Sequence, residues 1–105
     1  MKKNTVNSKT SFRQVFQILQ KLTLTPFENG LMMSLITRMI KHGQFNSKVH
    51  AYTLRYQPSA LATNDDDSLP QIKKSFRDFQ KKGYLKVMEL NHQKLFSLTF
   101  VQIDK

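Results

Sequence analysis

The sequence contains no cysteine, only three glycines and three prolines, and few acidic residues among its 105 positions. Without cysteine the protein can form neither a disulfide nor a cysteine-ligated zinc or iron–sulfur centre, and it has no thiol nucleophile. Apolar residues never run for the roughly 20 positions that a membrane helix needs. The basic residues at the start are not followed by an apolar segment, so we expect no signal peptide there. These absences favour a cytoplasmic protein with no membrane partner and one hydrophobic core.

Motifs for catalysis and cofactor binding are also missing. Three glycines are too few for a Gly-rich phosphate-binding loop, and no Ser-His-Asp order with flanking glycines occurs. The three histidines lack metal-ligand spacing. Acidic residues cluster only at Asp65–Asp67, without the alternating positions and the glycine of a calcium loop. We therefore expect no enzymatic activity, no cofactor, no bound metal and no small-molecule substrate.

Positive charge dominates what is present. Seventeen Lys and Arg stand against seven Asp and Glu, which gives a formal net charge of +10. Between Met1 and Asn64 the only acidic residue is Glu28. So much charge on a small body favours a polyanionic partner, and nucleic acid is the commonest one in the cytoplasm. Membrane surfaces and acidic proteins are the alternatives that charge alone leaves open.

The first ten residues are polar and basic and show no periodicity. We predict a flexible basic arm over residues 1–10 and a single domain over residues 11–105. The arm lysines Lys2, Lys3 and Lys9 suit entry into a DNA minor groove, and they equally suit a disordered basic tail.

Capping patterns and apolar spacing predict two helices in the first half of the chain. The first begins at Ser11, which forms a capping-box pattern with Gln14. The second begins after Thr25, whose capping partner is Glu28, and it stops at Gly43. The apolar positions of the first helix recur at helical spacing and are Phe12, Val15, Phe16 and Leu19.

The second half mixes strand and helix patterns. Apolar and aromatic residues occupy every second position from His50 to Tyr56, which predicts a strand with one buried face. A short helix near Ala60 and a turn at Asn64–Asp67 precede a third helix, capped by Ser68 and ended by Gly83. The predicted buried face of this helix comprises Leu69, Ile72, Phe76 and Phe79. Two β-prone runs predict a closing hairpin, Tyr84–Leu90 and Lys94–Val101 around Asn91–Gln93.

This order of elements resembles a winged helix-turn-helix domain. Ser59–Ala62 is similar to the start of its supporting helix, Leu69–Lys82 to its recognition helix, and Phe79–Val87 to its junction into the wing. The resemblance implies an α+β fold with about four helices, a short strand and a C-terminal hairpin wing.

A second resemblance concerns Leu24-Thr25-Pro26-Phe27-Glu28. This segment is similar to the start of the long helix in winged-helix modules of replication proteins. Those are the replisome-organiser and initiator-type proteins of Gram-positive phages, plasmids and mobile cassettes. The resemblance implies DNA replication of a mobile genetic element as the setting.

The third helix carries the candidate DNA contacts on the face opposite its apolar residues. Gln71 and Arg77 suit adenine and guanine edges, while Lys74 and Lys81 suit phosphates. The alternative is a solvated helix face on which Asp78 pairs with Lys82. With the lysines of the wing, the candidate DNA-binding residues are Gln71, Lys74, Arg77, Lys81, Lys82, Lys86 and Lys94.

Two functions remain open. The first is a DNA-binding accessory or subunit in replication of a mobile element, docked on a larger polymerase, primase or helicase. The second is a sequence-specific transcriptional regulator, for which the chain shows no dimerisation element. Four aromatics suit either stacking on single-stranded bases or packing in the core, namely Phe45, Tyr52, Tyr56 and Phe100.

Overall fold

The computed structural model of the protein describes residues 4–61 and 68–104. Within these residues the chain forms a small α+β domain in which helices cover one side of an antiparallel sheet. Its helices are α1 (Phe12–Gln20), α2 (Pro26–His42) and α3 (Ser68–Lys81), with a 3₁₀ turn at Pro58–Leu61. Its strands are β1 (Asn4–Val6), β2 (Gln44–Asn46), β3 (Ala51–Arg55), β4 (Leu85–Leu90), β5 (Gln93–Leu98) and β6 (Val101–Ile103). The predicted turn at Asn64–Asp67 and the arm residues Lys2 and Lys3 lie outside the described residues. No helix of the described part combines the length and the apolar character needed to cross a membrane.

The predicted capping boxes at Ser11 and Thr25 are confirmed, whereas Ser68, predicted to cap α3, is its first helical residue. Ser11 Oγ accepts a bond from the Gln14 N–H at 3.1 Å, and the Gln14 side chain accepts one from the Ser11 N–H at 2.8 Å. Thr25 and Glu28 form the same pair of bonds at 3.2 and 2.9 Å. Because its carboxylate is used in the cap, Glu28 is buried although it is acidic.

The four-stranded sheet has the order β2-β3-β5-β4. β4 and β5 form the predicted hairpin, with Val87 opposite Phe96. β3 pairs with the other edge of β5, and Leu54 lies opposite Phe96. Residues opposite one another share a face of the sheet, so these three side chains lie on one inner face. The Phe96 ring contacts the Phe76 ring of α3 at a centroid distance of 6.2 Å, which places the helix on that face.

Several boundaries differ from the predictions. The alternation from His50 to Tyr56 contains β3, but the regular strand is the shorter Ala51–Arg55. The turn of the β4–β5 hairpin comprises only Asn91 and His92, with φ of 52° and 65°, and Gln93 already belongs to β5. Positive φ at both positions is typical of the type I′ turn, whose twist matches that of the strands.

Residues Asn4–Val6 correct the prediction of a flexible arm. They form β1, which pairs in parallel with β6, so that Asn4 lies opposite Val101 and Val6 opposite Ile103. Val6 has no exposed surface and belongs to the core. No local pattern predicts this strand, because it is three residues long and its partner strand lies nearly the whole chain away.

The end of α3 fixes how the helix enters the hairpin. Gly83 adopts a left-handed φ of 79°. The Gly83 N–H donates to the Gln80 carbonyl oxygen at 3.1 Å, and the Tyr84 N–H donates to that of Phe79 at 2.9 Å. These two bonds make a Schellman motif, so the predicted stop at Gly83 is confirmed. The chain therefore turns directly from the last turn of α3 into β4.

Candidate nucleic-acid interface

The two predicted faces of α3 are confirmed except at Leu69, which is only partly buried. Ile72, Phe76 and Phe79 are 3%, 1% and 0% exposed and form part of the core. On the opposite side, the side chains of Gln71, Lys74, Arg77 and Lys81 are all exposed. The separation follows from the helical period of about 100° per residue, which directs apolar and basic positions to opposite sides.

Tyr56 connects this helix to the hairpin. Its ring contacts the Phe76 ring edge-on at 5.3 Å and the Phe96 ring at 6.4 Å. Its backbone N–H donates to the Lys94 carbonyl oxygen at 2.8 Å. The ammonium of Lys94 lies 5.0 Å from the centre of the Tyr56 ring, a cation–π contact. Tyr56 therefore keeps Lys94 on the same side of the sheet as α3.

The phenol of Tyr56 is affected by its surroundings. Burial raises its pKa, while a hydrogen bond with the Gln80 side chain and the positive charge of Arg77 both lower it. Burial is the largest of these effects, so the hydroxyl stays protonated and neutral beside the cations. The sequence had placed Tyr56 among aromatics that either stack on bases or pack in the core. Its half-buried ring packs on Phe76.

The other three lysines predicted to bind DNA, Lys82, Lys86 and Lys94, lie on different parts of the domain. Lys94 shares its face with Phe96, two residues on, and so lies on the α3 side. Lys86 is opposite Ser97 in register, which places it on the outer face of the sheet. Lys82 Nζ donates to the Thr23 carbonyl oxygen at 3.0 Å, and so ties α3 to the α1–α2 connection rather than to Asp78.

We use the name helix–wing surface for the exposed set that the fold brings together, Gln71, Lys74, Arg77, Lys81 and Lys94. Glu89 lies opposite Lys94 in register, so an acidic side chain borders this surface at the hairpin. Sequence reasoning identified every member from helical periodicity or from the hairpin pattern. It did not separate Lys94 from Lys86, because that distinction needs the strand register.

The four aromatics considered for base stacking do not form one platform. Phe45 and Tyr52 contact each other edge-on at 5.6 Å on β2 and β3. Phe100 packs instead against Tyr84, with centroids 6.2 Å apart. Tyr56 belongs to the core beneath α3. Of the four, only Phe45 is largely exposed, at 56%.

Comparison with known proteins adds no neighbour. No protein-family model, no curated protein and no solved structure matches this sequence significantly. A function has to follow from the surface chemistry of the chain itself.

Proposed function

We propose that the protein binds DNA through the helix–wing surface as a winged helix-turn-helix protein. The order of elements supports this fold assignment. α3 leads through Gly83 into the β4–β5 hairpin, and β5 lies between β4 and β3. This arrangement is compatible with α3 as a recognition helix and with the hairpin as a wing.

The observation that carries the proposal is the alignment of cations from two elements on one side of the domain. Lys74, Arg77 and Lys81 extend along the exposed face of α3, and Lys94 joins them from β5. Lysine and arginine neutralise phosphates and release the counterions condensed on DNA. With α3 in a major groove, Arg77 and Gln71 would reach base edges while the lysines contact phosphates.

The role we propose is an accessory or subunit in replication of a mobile genetic element, docked on a larger polymerase, primase or helicase. A single recognition helix offers few base contacts, and specific readers of this kind gain affinity by dimerising on two-fold sites. A protein that binds weakly alone gains affinity when a partner holds it near DNA. The alternative is a transcriptional regulator, which requires such a dimer.

The test of DNA binding compares two triple variants with the same change in net charge. In the first, Lys74, Arg77 and Lys81 become Ala. In the control, exposed lysines elsewhere become Ala, at Lys21, Lys41 and Lys48. We expect the α3 variant to lose most affinity for a labelled duplex, while the control loses much less. Both should unfold near the wild-type temperature, because exposed substitutions usually cost under about 0.5 kcal/mol.

Equal loss in the two variants would mean that binding depends on net charge alone, and it would refute the assigned surface. A further pair of measurements separates the two roles. We expect a monomer by sedimentation and no enriched motif when sites are selected from random DNA. A stable dimer that selects a palindrome would favour the regulator.

A further inference from the structure

The exposed apolar surface of the described residues is concentrated on α1. Phe12 and Phe16 are 75% and 40% exposed, and Phe45 is the one other large apolar side chain in the described chain with comparable exposure. Phe12 and Phe16 are four residues apart, so they lie side by side one turn apart. The sequence placed both on the apolar stripe of α1, but the residues of that stripe that are buried in the core are Val15 and Leu19.

Phe12 forms one wall of a groove along α2. In the first cleft, of about 450 Å³, Leu61 of the 3₁₀ turn forms the opposite wall, and Met33 and Ser34 of α2 line the space between them. A second cleft continues past Ser34 and Leu61 toward the start of α2, where it reaches Gly30. Together the two clefts follow α2 from Pro26 to Arg38. Since an α-helix rises 1.5 Å per residue, this is a length of about 18 Å. We call this the α2 groove, lined among others by Phe12, Gly30, Met33, Ser34, Arg38 and Leu61.

Gly30 gives the groove extra depth. Gly30 lies away from the ends of α2 and is exposed to solvent. A Cβ added there would meet nothing within 4 Å. Glycine is among the least favourable residues inside a helix. Neither a positive φ nor a close neighbour requires it here. Its missing side chain leaves room for an occupant to approach the backbone of α2.

Among the residues that the structure describes, the charged side chains on and beside the groove are positive. Arg38 lines it, and exposed Arg13 and Lys41 lie on the two helices that border it. The only acidic residue described between residues 4 and 61 is Glu28, which is buried in its own cap. The groove therefore offers an apolar floor beneath a cationic rim.

We infer that the α2 groove binds an acidic amphipathic helix of a partner protein. Such a helix presents an apolar ridge at positions i, i+3 or i+4, and i+7, and acidic flanks that complement Arg38 in the lining. A length of about 18 Å accommodates roughly 12 helical residues, which is enough for that ridge. A second copy of the chain would bring another +10 charge to the contact. A lipid surface is flat, whereas this site is concave between Phe12 and Leu61.

The inference specifies the docking part of the proposed function, and it does not depend on DNA binding. The groove and the helix–wing surface use different sides of α3. Ile72, which borders the groove, is separated from Lys74 by about 160° around the helix. Both surfaces are therefore available at once, and each can be disabled by itself.

The test uses a labelled acidic amphipathic peptide with Leu at helical spacing and Glu elsewhere, beside a scrambled peptide of the same composition. Phe12→Gln removes one wall of the groove, and Gly30→Leu fills its floor. We expect each to weaken binding of the amphipathic peptide by at least about tenfold, as loss of an anchor does. Phe45→Gln is the matched control, an exposed phenylalanine outside the groove, and it should bind like the wild type.

Folding is monitored in every variant. Gly30→Leu should raise the melting temperature by a few degrees, since leucine is the better helix former. The α3 triple variant should still bind the peptide, and Phe12→Gln should still bind DNA, so the two proposals fail separately. The inference is overturned if the scrambled peptide binds equally well or if Phe45→Gln has the same effect as Phe12→Gln. Binding only to anionic vesicles, or a dimer that Phe12→Gln dissociates, overturns it in favour of a membrane or a second copy.

Discussion

Lys94 makes two contacts with Tyr56. Its ammonium nitrogen lies 5.0 Å from the centre of the Tyr56 ring, and its carbonyl oxygen accepts a hydrogen bond from the Tyr56 backbone nitrogen at 2.8 Å. The backbone bond continues the pairing of β3 with β5 by one residue beyond the strand. The ring contact restrains a flexible lysine side chain beside the basic face of α3. Tyr56 therefore connects Lys94 of the hairpin to α3, beside the direct contact between Phe96 and Phe76.

The phenol of Tyr56 should titrate above the ordinary tyrosine pKa of 10.0, since burial is the largest effect on it. The unfolded chain then releases its proton at lower pH than the folded one. The contribution of Tyr56 to the free energy of unfolding is thus complete below pH 10 and is lost as pH rises above it. Phenolate absorbance should show a titration above pH 10 that Tyr56→Phe removes. An unchanged titration in Tyr56→Phe would contradict this assignment.

Lys94 and Lys86 should differ in their contribution to DNA affinity because they lie on opposite faces of the hairpin. We expect Lys94→Ala to weaken duplex binding about three- to tenfold and to reduce the slope of log affinity against log salt by about one. Lys86→Ala should have a smaller effect on both. Fluorescence anisotropy between low and physiological salt measures the two variants directly, and equal effects would argue against the proposed surface.

Gly43 and Gly83 end their helices for different physical reasons, so their alanine variants should differ. Gly43 is extended, but an added Cβ would lie 2.4 Å from the Met39 carbonyl oxygen and 2.7 Å from its Sδ. Gly83 has a left-handed φ and open space around it. We expect Gly83→Ala to lower the free energy of unfolding by about 1 kcal/mol. Gly43→Ala should lower it by at least about 2 kcal/mol, because backbone must move. Urea denaturation measures the free energy of unfolding of both variants. A larger loss in Gly83→Ala than in Gly43→Ala would contradict the prediction.

His92 occupies the second position of the hairpin turn with a positive φ of 65°. Asn-Gly is the favoured pair for a type I′ turn. His92→Gly should therefore increase the free energy of unfolding, by roughly 0.5–1 kcal/mol. Gln93→Gly, the adjacent change inside β5, should decrease it. A loss of stability in His92→Gly, measured by urea denaturation, would show that the imidazole makes a contact that outweighs its backbone strain.

Local signals account for the parts of this structure that the sequence predicted. The capping boxes at Ser11 and Thr25 and the glycine stop at Gly83 involve residues within a few positions of one another. The two faces of α3 likewise follow from helical period alone. Each of these features depends on residues that are close in the sequence and not on contacts with distant segments.

The features that the sequence did not predict depend on distant partners. Val6 is buried only because Val101–Ile103 lies beside it. Phe12 has the spacing of a core residue, but it stays 75% exposed because no described element packs over it. The pattern predicted the apolar stripe and not this exposure. At the candidate interface, the cations of α3 were predictable one by one. The position of Lys94 over Tyr56 was not, because it depends on how β3 aligns with β5.

The pairing of β1 with β6 sets an order for assembly during synthesis. As the chain leaves the ribosome from its amino terminus, Val6 emerges early but gains its partner strand only after Ile103 has been made. Closing a loop of that length also costs more conformational entropy than any pairing within the four-stranded sheet. We expect the helices and the hairpin to assemble first, and the β1–β6 pair to close the domain as the final step.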